Sequence, residues 1–246
     1  MARTVDQADM LALVDSLASG EWVSGAQLAM AAGVSREALS KRVRKLAREW
    51  QLPLEARHGR GYRLKKPLQR LSKKSVQKHL NPAWRNRLRI DIVPSTGSTN
   101  SDLLAAPERD DPQLLLAELQ TAGRGRRGRE WLSPFGANLY LSLGWTFPAW
   151  PPQLTTLPLM VGVCCIAALR ETGLKQLALK WPNDLRVGEA KLGGILVEQR
   201  GEASGPCRVI IGVGINVAMS ASQAGSVTQP WVSLEAALAA QGHKLP

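Results

Sequence analysis

Residues 123–129 read Gly-Arg-Gly-Arg-Arg-Gly-Arg, three glycines and four arginines in seven positions. A guanidinium is a permanent cation whose planar fork of donors suits phosphate or carboxylate. Glycine lets backbone N–H groups come close to a ligand. Such a stretch can be a basic tract on nucleic acid, a solvated loop, or an ordered cradle for an anion. Its flanks, "LLLAELQ" and "NLYLSL", read as strands, so the stretch lies inside a folded domain. That placement favours the cradle. Trp131, just beyond it, can cap an apolar ligand or close the core.

Three other stretches could join it. Gly97-Ser98-Thr99-Asn100 follows a strand and opens a helix, placing hydroxyl and amide groups at an anion-friendly N-terminus. "KWPNDL" (180–185) ends a strand in a turn that carries Asn183 and Asp184. "AKLGGILVE" (190–198) sets Lys191 at the start of a strand, with Gly193 and Gly194 permitting close approach. Taken singly these are a helix cap, a turn and a solvated lysine. Together they are an anion-handling site.

These residues need a scaffold. From Ile90 onward, strand-like runs alternate with two helical patterns, "NSDLLAA" and "QLTTLPLMVGVCCIAALRETG", which predicts an α+β domain with a helix-covered sheet. Residues 1–65 read differently. Ser24 and Ser35 are candidate N-caps. In the helix after Ser35, Leu39, Val43, Leu46 and Trp50 share one buried face, while Arg36, Ser40, Lys41, Arg44 and Lys45 face outward. "LEARHGRGYRL" then alternates around two glycines, a short hairpin with Arg60 at its turn. Helix, short helix, turn, basic helix and basic hairpin make a winged helix-turn-helix, whose basic helix enters a major groove. Residues 66–89, polar and basic, read as a linker with a short helix.

Charge supports the division. Residues 36–89 hold 18 Lys+Arg against 3 Asp+Glu, a local +15 in a chain of net +12, so the remainder sums to −3. The basic segment calls for a polyanion and the remainder does not. No signal peptide and no run of about 18 apolar residues is evident. Cys164, Cys165 and Cys207 form neither a metal-ligand spacing nor an even disulfide set, and Cys164 and Cys165, inside an apolar helix-like stretch, are expected as buried, reduced thiols.

"GSTN", "QTAGRGRRGREWLSPFGANLYLSL", "LKWPNDL", "KLGGILVE" and "IGVGINV", in that order behind a winged helix, closely resemble the bifunctional biotin protein ligases that also repress biotin synthesis. The resemblance spans nearly the whole chain. It implies a class II synthetase-like catalytic domain over 90–246 behind the DNA-binding domain, in a cytoplasmic protein without a membrane partner. It implies biotin, ATP and Mg²⁺, with biotinyl-5′-AMP as intermediate and a lysine of biotin carboxyl carrier protein as acceptor. Ser98, Thr99, Asn100, Gln120, Arg124, Gly125, Arg126 and Lys191 would then bind biotin. Arg127, Arg129, Trp131, Asn183, Asn216 and Trp231 would bind the nucleotide, with Lys191, Asp184 and Arg126 catalytic. Ser35, Arg36, Ser40, Lys41, Arg44, Lys45 and Arg60 would meet operator DNA, through a homodimer formed with the intermediate. The family continues beyond this point with a C-terminal SH3-like domain that this sequence does not include. Either the sequence is a piece of a longer protein or the protein works without that domain, in which case a biotin-sensing repressor with weak turnover is the alternative. Gly97 stands where the family often carries an acid.

Overall fold

The computed structural model describes residues 2–107, 109–201, 205–225 and 227–245. Two compact units form: Met1–Arg70 with Pro134–Gly136, and Leu71–Ser133 with Ala137–Pro246.

The first unit contains α1 (Ala2–Leu17), α2 (Gly25–Ala31), α3 (Arg36–Glu49), β1 (Leu54–Arg57) and β2 (Gly61–Leu64). The serines act as read. Ser24 Oγ accepts from the Gln27 amide at 3.1 Å while Gln27 Oε1 accepts from the Ser24 amide, a capping box that satisfies donors at both ends. Ser35 Oγ accepts from the Ala38 amide at 3.1 Å. Leu39, Val43, Leu46 and Trp50 are buried along one side of α3, against a core that includes Leu13, Leu17 and Leu28. β1 and β2 pair antiparallel, and Val23 adds an isolated antiparallel bridge to β2 by exchanging two 2.9 Å bonds with Tyr62. Gly61 makes that possible. Its φ is 100°, and a Cβ there would overlap the Val23 carbonyl.

The second unit begins with α4 (Lys73–His79) and α5 (Pro82–Arg85), so the stretch expected as a linker with one helix holds two. Next come β3 (Arg89–Val93), α6 (Thr99–Ala105), β4 (Gln113–Ala117), β5 (Leu139–Phe147), α7 (Leu157–Glu171), β6 (Ala178–Lys180), β7 (Asp184–Val187), β8 (Ala190–Gly201), β9 (Cys207–Ile215) and α8 (Leu234–Ala240). Seven strands form one sheet in the order β3-β4-β5-β9-β8-β7-β6, antiparallel except for the β3–β4 pair. α6 packs on β4, β5, β8 and β9, and α7 on β6, β7 and β8. Leu174, Leu185, Leu192, Ile195 and Leu238 are almost fully buried in the main core. Each contributes roughly 1.5–3 kcal/mol by leaving water.

Three expectations need correction. α8 was not among the helical patterns of the sequence, because its seven residues are too few to show a periodic face; Ser233 caps it, accepting from the Ala236 amide at 3.2 Å. Cys164 is exposed and Cys165 only half-buried, while Cys207 is buried. The apolar run of α7 is wider than one packing face, so Met160, Val163 and Cys164 remain outside. For the same reason the window Leu154–Glu171 is long and apolar enough to cross a membrane, contrary to the reading of the sequence. Val161, Cys165 and Ile166 of that helix pack on the core. Burial, helped by Cys164 alongside, pushes the Cys165 thiol up to about 11, so it is no nucleophile at neutral pH.

Candidate active site

The polar stretches singled out in the second unit converge on a cavity of about 450 Å³. The N-terminus of α6 brings Ser98, Thr99 and Asn100, each under 5% exposed. The loop after β4 brings Gln120 and the arginines. The β6–β7 turn brings Asn183 and Asp184, and β8 brings Lys191 and Gly194.

The glycine–arginine loop is a folded turn. The Trp131 amide donates to the Gly123 carbonyl at 2.8 Å and the Gly125 amide to the Arg129 carbonyl at 2.7 Å. Arg126–Gly128 form a 3₁₀ turn in which Arg127 has φ 57° and ψ 37°. A left-handed arginine costs about 1–2 kcal/mol, which the surrounding bonds must offset. The four arginines then part company. Arg124 Nη2 reaches both carboxylate oxygens of Glu198, at 2.5 and 2.6 Å. Arg126 Nη1 donates to Asn183 Oδ1 at 3.5 Å. Arg127 and Arg129 line the cavity as exposed cations.

Lys191 is no solvated strand-end lysine. Its side chain is 12% exposed, its Nζ lies 2.8 Å from Asp184 Oδ1, and the ammonium sits 5.4 Å from the centre of the Trp131 ring. A β-bulge at Leu185/Arg186 shifts the register of β7 and β8, so Arg186 pairs with Lys191 while Asp184 pairs with Gly194. The turn before Asp184 is pinned by Asn183, whose Nδ2 donates to the Ile195 carbonyl at 2.7 Å.

Beneath the loop lies a polar floor. The Thr99 amide donates to Gln120 Oε1 at 2.9 Å, and Gln120 Nε2 donates to Ser133 Oγ at 3.1 Å. Asn100 Nδ2 donates to Glu198 Oε2 at 2.9 Å and to the Leu196 carbonyl at 3.3 Å. Tyr140 lines the same space with its phenol kept neutral, because burial raises its pKa well above the usual value.

A second cavity, of about 320 Å³, adjoins the first. Arg129, Glu130, Trp131, Lys191 and Gln229 line both. Asn216 and Trp231 line only the second. Asn216 Nδ2 donates to the carbonyls of Lys191 and Val232, at 3.3 and 3.4 Å. Trp231 bridges to Lys191 across the strands. Among the described residues no group of three or more His, Cys, Asp or Glu side chains could hold a metal ion. Asp184 and Glu130 are the acids on the first cavity's wall.

Several participants went unread in the sequence: Glu198, Ser133 and Ser142 in the floor, and Lys180 and Arg186 on the wall. Gly212 and Gly214 carried a usable signal, since alternate glycines in a strand mark a face that something approaches closely. A Cβ on Gly214 would lie 2.6 Å from the Trp131 indole, and one on Gly212 would overlap the Asn100 amide.

The winged-helix residues are laid out separately. Arg36, Lys41, Arg44 and Arg60 are exposed, Ser40 and Lys45 half-buried, and Ser35 caps the helix. Lys41 makes an exposed 3.0 Å pair with Glu37.

The profile of the family described as "Biotin/lipoate A/B protein ligase family" matches residues 90–216, and that of "HTH domain" residues 10–63. The chain is 40% identical over 228 residues to the bifunctional ligase/repressor BirA of Escherichia coli (strain K12), which covers 92% of this chain and 69% of that protein. Among solved structures, the biotin protein ligase of Leishmania major in complex with biotinyl-5-AMP superposes with a TM-score of 0.54 at 28% identity, covering 64% of this chain and 68% of that one. The biotin protein ligase of Aquifex aeolicus in complex with biotin and ATP gives 0.50 at 28%, covering 64% and 63%.

Proposed function

The chain belongs to the biotin/lipoate A/B protein ligase family, and from that premise we propose that it joins biotin to a protein lysine at the expense of ATP. One observation carries the reading: two cavities meet at Lys191 and Trp131. A carboxylate held in the larger cavity and a nucleotide held in the smaller would bring their reacting atoms together beside the Lys191 ammonium. Biotin's carboxylate attacks the α-phosphorus, the bond to the β-phosphate oxygen breaks, and pyrophosphate leaves. Negative charge grows on the equatorial phosphate oxygens during this step. Lys191, held by Asp184, is a fixed donor for that charge and Arg126 a second cation beside it, and preorganised donors are usually the largest catalytic contribution.

Each neighbour has a part. Thr99 and Gln120 present polar groups for the ureido ring, and Trp131 closes over the apolar remainder. Asn216 ties Lys191 in β8 to Val232, next to Trp231, and the Trp231 indole covers the adenine. The acceptor amine then attacks the acyl carbon and AMP departs. Asp184, 2.8 Å from Lys191, is the nearby carboxylate that can take the amine's proton. A magnesium ion fits this donor set, because it keeps few protein ligands and binds chiefly through nucleotide phosphates. Asp184 would supply the protein's oxygen, and the ion would neutralise polyphosphate charge.

We further propose that the first unit binds operator DNA through the exposed cations of α3 and the Arg60 turn, as a cytoplasmic homodimer formed with the adenylate. The defining experiment incubates the chain with biotin, MgATP and a biotin carboxyl carrier domain, and reads the domain by mass spectrometry. One biotinyl group on one lysine is expected. An unmodified domain together with no release of pyrophosphate would remove the ligase reading.

A further inference from the structure

The arginine loop is joined at both ends to the cavity floor by one continuous set of hydrogen bonds. It begins at Arg124, whose guanidinium holds the Glu198 carboxylate at 2.5 and 2.6 Å. Glu198 accepts from Asn100 Nδ2 at 2.9 Å. Ser142 Oγ donates to Asn100 Oδ1 at 2.5 Å and lies 2.7 Å from the Thr99 hydroxyl. Thr99 leads to Gln120, Gln120 to Ser133, and Ser133 Oγ donates to the Trp131 carbonyl at 2.8 Å. Arg124 and Trp131 are the two roots of the loop. Ser142 is fully buried and Asn100, Thr99 and Ser133 nearly so, so each has few partners besides the next in the chain.

From this we infer that Glu198 is a positioning residue for the arginine loop, locking its first root to the floor that Thr99 and Gln120 form. Only a carboxylate can take both the Arg124 guanidinium and the Asn100 amide while holding no proton of its own. Asn100 has both amide hydrogens and its oxygen engaged within the protein, so it acts through Glu198 and Ser142. The Glu198 side chain is 24% exposed and that of Arg124 43%, so solvent screens the pair mainly from the Arg124 side. A ligand that engages Thr99 or Gln120 therefore pulls on the same network that sets the loop. That last consequence rests on the ligase reading; the anchoring of the loop does not.

The test is a double-mutant cycle on the full chain with Glu198→Gln, Arg124→Gln and the double variant. Without any ligand, amide exchange of Gly125 and Trp131 is followed by mass spectrometry. Each single variant should speed it by roughly 3- to 10-fold, the range expected for a charge-assisted contact of this exposure. The double variant should be no faster than the faster single one, because both remove the same contact. Glu198→Asp, which keeps the charge, should fall between wild type and Glu198→Gln. In the ligase assay the same variants should raise the KM for biotin more than they lower kcat. Additive effects in the cycle, or loop exchange unchanged in Glu198→Gln, would overturn the inference. Because the exchange arm needs no substrate, a protein that proved inactive as a ligase would still answer it.

Discussion

Two regions of this molecule are rich in arginine, and they use it in opposite ways. On α3, Arg36, Lys41 and Arg44 stand in solvent, and their charges act on something outside. In the loop at 123–129 and the strand behind it, cations have partners within the same unit: Arg124 meets Glu198 and Arg126 meets Asn183 at the cavity rim, and Lys191 meets Asp184 where its side chain is largely buried. The difference is dielectric and geometric. Exposed charges are held loosely, screened by salt within about 8–10 Å, and summed into a field. Charges with a partner close by in the fold, Lys191 above all, are held in one direction. The first arrangement suits a polyanion met at many points, and the second suits one phosphate at one instant of a reaction.

Salt should separate the regions most. Raising it from 50 to 200 mM should weaken operator binding by roughly a thousandfold or more, as expected for six to ten phosphate contacts. Pyrophosphate release under the same change should vary by only a few-fold. Equal sensitivity in a gel-shift titration and a pyrophosphate assay would erase the contrast.

Lys191→Ala comes next. Losing this fixed donor should slow adenylate formation by about 100- to 1,000-fold. It also leaves the Asp184 carboxylate, 25% exposed, without its partner, so some stability is lost, at most about 1–3 kcal/mol. Near-normal turnover would make Lys191 an ordinary structural ion pair. Gly214→Ala should act more mildly. The added methyl presses on Trp131, and overpacking of this kind costs about 1–3 kcal/mol. Biotin affinity, read by calorimetry, should fall by around tenfold, with DNA binding unchanged; a drop in both would mean that the damage is global.

Lys41→Ala should produce the smallest effect. Its pair with Glu37 is exposed, with both side chains more than two-thirds open, so the melting temperature should stay where it is. Operator affinity should fall several-fold, and the salt slope should decrease by about one. A shift in melting temperature with no change in DNA binding would reverse the roles assigned to the two regions.

The winged helix was readable because its cues are local. Ser24 and Ser35 cap helices through residues three positions away, and the buried face of α3 repeats at helical spacing. A basic face opposite that stripe has to be outside. The loop could be read as a turn within a folded domain for similar reasons, since its glycines and arginines are interleaved between two strands. The Gly97–Asn100 turn, the Asn183–Asp184 turn and Lys191 were legible as polar groups at element ends.

Their partners were not legible. Glu198 lies 74 residues from Arg124 and reads in sequence as an outward residue of an ordinary strand. Arg208 reads the same way, yet it is fully buried in β9, donating to the Leu103 carbonyl, Thr146 and Gln113. Which face of a strand meets solvent depends on what packs over it, and a period of two offers both choices equally. Lys191 was placed at the lip of a strand, but only the bulge in β7 and the closing Trp131 ring decide that its ammonium turns inward to Asp184. Residue types and short-range spacing determined the chemistry this protein can hold. The sheet's register and the long-range contacts decided which charges face inward, because burial is a property of the whole fold.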